Sequence, residues 1–194
     1  MSDFGVYFTL GRQHIADIKG LDHILFIMAL CCRYTIQDWK KLLVLVTAFT
    51  IGHSLTLLLS VLNFIHIRSQ WIELLIPVTI IITCISNLFV KKFAFKTSYP
   101  LIYFFALFFG LIHGLGFSYY LKSLLGRDQS IIVKLLAFNV GLEAGQLTIV
   151  AAILLITFIC INLIKLNRRD YLLFLSAAIF GIASYMAAHN FYKL

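Results

Sequence analysis

Long apolar runs, broken only by short charged turns, limit this chain to one kind of fold. Six such runs are legible, over about residues 21–36, 42–62, 71–90, 100–122, 132–165 and 170–192. Each approaches or exceeds the roughly 20 residues that a helix needs to cross a bilayer. Lipid satisfies no backbone hydrogen bonds, so a spanning segment is either a helix or part of a closed barrel. The runs are continuous rather than alternating, which selects helices. At 61% hydrophobic and 12% charged residues, a chain of 194 residues has too little polar surface for a soluble domain. The expected fold is all-α and integral to the membrane: one domain, residues 1–194, forming a bundle of about six transmembrane helices. Residues 3–18 are predicted to form a short amphipathic helix at the interface. They follow no basic n-region, so no cleavable signal peptide is predicted.

The breaks between runs carry charge, Trp and Gly, as interfacial turns do. The fifth run is too long for a straight crossing, and Gly141 and Gly145 are the places where a bend is expected. The net charge of +8 does not point to nucleic acid, because the basic residues sit in short loops and none forms a run interleaved with aromatics in a soluble segment. Arg33, Lys40, Lys41, Lys91, Lys92, Lys96, Lys165, Arg168 and Arg169 fall on one face. Arg12, Lys19, Arg68, Lys122, Arg127, Lys134 and Lys193 fall on the other. The first set is concentrated in short turns, so the positive-inside rule puts both termini outside the cytoplasm. Cys31, Cys32, Cys84 and Cys160 have no metal-site spacing and read as small buried apolar residues.

Ionisable groups inside a membrane are costly and mark function by default. Asp22 and His23 open the first run, His53 lies in the second, His113 in the fourth and Glu143 in the fifth. Counted from the ends of their runs, all five fall in one half of the bilayer; His53 lies about 13 Å of helix from its run's end. Asn139, Glu143 and Gln146 share a helix face. Thr50 and Thr56 flank His53 at three residues and are expected to orient its ring. Ser54, a nucleophile only with a base beside it, is expected to bond its own backbone. Glycines 110, 114 and 116 surround His113 and allow close helix approach. Three imidazoles with one or two carboxylates suit a divalent transition metal such as Ni, Co, Zn, Fe or Cu. Asp22 taken alone also suits a helix N-terminus. His14 and His189 share the cluster's membrane face. Each is a candidate outer ligand or gate, with surface placement the expectation. His66 is expected in a loop and Glu73 at the interface. Thr79, Thr83, Ser86 and Asn87 are poor ligands for a soft cation.

The stretches HIADIKGLDHILF (14–26), TAFTIGHSLTL (47–57), FGLIHGLGF (109–117) and FNVGLEAGQ (138–146) resemble the HupE/UreJ family of bacterial membrane proteins. The similarity runs from about residue 11 to 160. It implies a multi-pass protein of the bacterial inner membrane that acts as a nickel or cobalt permease. By position it implies roles for His14, Asp22, His23, His53, His113 and Glu143. The pattern also distantly resembles the CREST superfamily, seven-span proteins that include alkaline ceramidases and hold zinc with three His. That likeness implies an alternative: an intramembrane zinc-dependent hydrolase acting on a lipid or lipoprotein, with Asp22 or Glu143 as base. A metal held only for structure is a third reading, favoured by a closed ligand set.

Overall fold

The computed structural model describes residues 2–18, 20–65, 67–90, 100–125 and 131–194. Lys19, His66 and the stretches 91–99 and 126–130, which hold part of the expected basic bias, lie outside the described residues. The described residues form helices and no strand: α1 (Asp3–Ile15), α2 (Leu21–Cys31), α3 (Trp39–Val61), α4 (Ser69–Leu88), α5 (Pro100–Leu125), α6 (Ile131–Phe158) and α7 (Arg168–Phe191).

Among the described residues, five segments are long and apolar enough to cross a membrane. They are Ile36–Val61, Ser69–Leu88, Ile102–Leu124, Ile131–Leu163 and Arg168–Phe191. The first expected run departs from this pattern. Its helix ends at Cys31 after 11 residues, a rise of about 16 Å, half of a bilayer core. A short turn of 3₁₀ helix at Ile36–Asp38 then leads into α3. There Thr35 and Asp38 cap each other, and Lys41 reaches back to Asp38 at 2.8 Å.

One end of the bundle holds both chain termini. Lys134 lies 3.9 Å from Asp3, Gln70 donates to the Lys193 carbonyl at 3.2 Å, and Lys122 reaches Asn63. At the opposite end Arg168 donates to the Arg33 carbonyl at 2.9 Å. The long helix α6 is unbroken at its glycines. It stays α-helical through Phe158, widens into a π turn at Ile159–Leu163, and stops where Lys165 takes a left-handed φ of 59°.

Glycines set the closest packing. A Cβ on Gly52 would strike the Leu107 carbonyl, one on Gly110 the Phe49 carbonyl, and one on Gly114 the His53 carbonyl. Helices α3 and α5 therefore meet backbone to backbone, as small residues permit in lipid. The same device fixes α1: Gly11 faces the Phe138 carbonyl and Gly141 the Phe8 carbonyl, while Gly145 accommodates Ile15. Helix α1 thus runs parallel to the first half of α6, from Asp3 beside Lys134 down to Ile15 beside Gly145.

Helix α4 docks on α7 through a backbone defect. Pro77 lies inside α4 and has no N–H, so the Glu73 carbonyl loses its helical donor. The Asn190 side chain of α7 donates to that carbonyl at 2.7 Å. Towards the opposite end, Asn87 ties α4 to α2 and α7 by donating to the Ala29 carbonyl at 2.8 Å and to Ser176 at 3.2 Å.

Candidate metal centre

Four helices that carry histidine, α1, α2, α3 and α5, converge at the break between α1 and α2. Close contact of α3 and α5 sets His53 and His113 side by side in depth, and both are fully buried. Helix α1 ends one residue after His14, where a basic group suits the C-terminal dipole. After α1, the Gly20 N–H donates to the Asp17 carbonyl at 3.1 Å. Helix α2 then starts with Asp22 in its first turn, where the Asp22 carboxylate accepts the His23 backbone N–H at 3.0 Å. His23 becomes the hub. Its ring centroid lies 4.7 Å from that of His14, 5.2 Å from His113 and 5.9 Å from His53. His14 and His53 are 6.0 Å apart. Metal–nitrogen bonds of about 2 Å hold the centroids of two ligating rings about 5 Å apart.

The donor atoms of His14, His23 and His53 all lie within 4.8 Å of one another, as do those of Asp22, His23 and His113. Either set can hold a metal ion. Hydrogen bonding leaves the ring nitrogens free to do so. Among the described residues, His14 Nε2, His23 Nε2, both nitrogens of His53 and His113 Nδ1 are buried with no hydrogen-bond partner. Each buried polar atom left unsatisfied costs about 1–3 kcal/mol, and native structures rarely tolerate several in one place. A cluster of basic nitrogens without donors is chemically suited to a cation with empty ligand positions.

The centre opens towards the end that holds the termini. A cavity of about 340 Å³ is lined there by Asp17, Asp22, Glu73, His14, His23 and His113, among others. On the other side an aromatic floor closes it. Phe26 packs at 5.0 Å from both Phe49 and His113, and Phe109 at 5.8 Å from Phe26.

The remaining predicted residues divide. His14, expected at the surface, is inside the cluster, its ring 3.8 Å from Phe117. Glu143, expected among the ligands, joins neither group; its carboxylate accepts from Thr47 at 2.8 Å on a more exposed face. Thr50 turns away from His53 and donates to Gln146 at 2.6 Å. Thr56 donates to the backbone carbonyls of Gly52 and His53. Ser54 donates to the Thr50 carbonyl at 2.7 Å. Asn139 Oδ1 is buried without a partner among the described residues. Glu73 is exposed and accepts from Ser69 at 2.7 Å. His189 stacks on Tyr185 far along α7. Thr79 was missed: it meets His113 Nε2 at 3.1 Å. A depth count from the start of its run puts it level with His113, and that was the available signal.

No curated protein and no solved structure matches the chain. The sequence model described as HupE / UreJ protein matches residues 1–191, nearly the whole chain and every residue of the histidine cluster. The histidine cluster thus sits in a membrane protein that belongs to the HupE/UreJ family.

Proposed function

We propose that the protein is a permease for a divalent transition metal ion of the nickel or cobalt kind, seated in a bacterial inner membrane with both termini outside the cytoplasm. The ion is cargo. The observation that carries this reading is the set of five buried imidazole nitrogens, from four histidines, that find no partner among the described residues. Imidazole suits Ni, Co and Zn alike, and the family favours the first two. Carboxylates at Asp17, Asp22 and Glu73 line the mouth, where a cation arrives. Three-ligand sets that share His23 suit transport better than a closed four-ligand cage, because a conducted ion must leave.

In this reading α1, which ends at Ile15, and α2, which starts at Leu21, form one crossing, giving six crossings with the five long helices. Discontinuous helices whose inner ends meet at a mid-membrane site are a recurrent transporter device. Passage requires the floor of Phe26, Phe49 and Phe109 to part.

One observation favours a second reading, an intramembrane zinc-dependent hydrolase of a lipid or lipoprotein. A largely apolar groove of about 740 Å³, lined by Leu10, Phe117 and Tyr120, reaches His14 from the side. Uptake of nickel or cobalt into proteoliposomes, compared with a His53→Ala variant, separates the two. Uptake by the wild type that is lost in the variant supports the permease. Uptake unchanged in the variant rejects this route, and tight stoichiometric metal without uptake favours the hydrolase.

A further inference from the structure

Thr79 has one hydroxyl proton and two neighbours. Its oxygen lies 2.7 Å from the Ile76 carbonyl and 3.1 Å from His113 Nε2. A carbonyl oxygen only accepts, so the shorter contact takes the proton. The hydroxyl oxygen is then an acceptor towards His113, and Nε2 must carry the N–H. A neutral imidazole has one proton, which leaves Nδ1 as a bare lone pair. Nδ1 is the nitrogen that is buried without a partner. His113 forms one of the three-donor groups with Asp22 and His23. In the opposite assignment Nδ1 would carry a buried N–H with no acceptor, and the ring could not ligate through it.

We propose that Thr79 is a positioning residue for the metal centre: it fixes His113 as the Nε2–H tautomer and so presents Nδ1 to the ion. The role rests on the metal-binding reading above and extends it to a fifth helix, α4. It parallels the carboxylate on His23, where Asp22 Oδ1 sits 3.2 Å from Nδ1 and leaves Nε2 bare. Outer partners of this kind hold ring orientation and ligand basicity. Thr79 is almost fully buried, at 3% exposure, so water does not substitute for it.

The test pairs a metal-free readout with a metal-bound one. Nitrogen-15 histidine spectra of the metal-free protein in nanodiscs, with His113 assigned by its loss in His113→Asn, report the tautomer directly. Nickel titration reports the consequence. The wild type is expected to show His113 as Nε2–H. Thr79→Val keeps the shape and removes the hydroxyl; it is expected to lose that tautomer's dominance and bind nickel about tenfold more weakly. Thr79→Ser is expected to restore both, although it removes the packing methyl. A wild-type His113 protonated on Nδ1 overturns the proposal, as does a folded Thr79→Val that binds nickel like the wild type. If Thr79→Val does not fold, Thr79→Ser against Thr79→Ala carries the same comparison. A wild type that binds neither nickel nor cobalt overturns the metal centre itself, while the metal-free spectrum still reports on Thr79.

Discussion

Asp22 holds His23 by two atoms at once: one carboxylate oxygen accepts the His23 backbone N–H at 3.0 Å and faces its ring Nδ1 at 3.2 Å. The start of α2 and the orientation of the hub imidazole are therefore set by the same side chain. Removing it in Asp22→Ala is expected to weaken nickel or cobalt binding by about 10- to 100-fold. Asp22→Asn, which keeps an acceptor but not the charge, should fall between. Calorimetric titration measures both, and wild-type affinity in Asp22→Ala would contradict the assignment.

His14 and His189 separate a cluster position from a surface one. His14 lies 4.7 Å from His23, whereas His189 stacks on Tyr185. His14→Ala is expected to weaken metal binding at least about tenfold, since it removes a ligand candidate itself rather than a partner of one. His189→Ala is expected to change nothing in the same titration.

Two glycines on helices should respond in opposite directions to the same substitution. Gly110→Ala drives a methyl into the Phe49 carbonyl and pushes α3 from α5. It is expected to destabilise by about 3 kcal/mol, the upper part of the overpacking range. Gly181 on α7 has nothing within 4 Å of an added Cβ. Gly181→Ala is expected to stabilise by about 0.5–1 kcal/mol, because alanine loses less freedom in a helix. Thermal unfolding in one detergent compares them.

Pro77 and Asn190 form a double-mutant cycle. Asn190→Ala removes the side-chain donor to the Glu73 carbonyl and is expected to destabilise by about 1 kcal/mol. Pro77→Ala returns a backbone N–H that bonds the same carbonyl. In the Pro77→Ala background, the loss from Asn190→Ala should shrink towards zero, a coupling readable from unfolding midpoints.

The long helices were legible because apolar length alone marks them. The run read at 71–90 folds as Ser69–Leu88, and that at 170–192 as Arg168–Phe191. The common depth of His23, His53 and His113 was legible for the same reason: helical rise turns residue counts into depth. The beginning of the chain was harder. Residues 3–15 mix Asp3, Arg12 and His14 with apolar neighbours, which reads as a surface helix. What holds α1 is a glycine contact with α6 at the Gly141/Gly145 pair. A pair of glycines four apart needs a partner helix, and α1 was that partner. Glu143 misled because depth does not determine direction. It has the right level, but its helix turns the carboxylate towards Thr47. Thr79 is a hydroxyl among apolar residues, and its meaning emerges only once His113 is beside it.

The most direct test of the account is X-ray absorption at the metal edge of purified protein loaded with nickel or cobalt, read together with the bound stoichiometry. One ion per chain, with imidazole scattering from at least three histidines that is lost in His23→Ala, is the predicted result. An oxygen-only shell, or a spectrum and stoichiometry unchanged in His23→Ala, would contradict it.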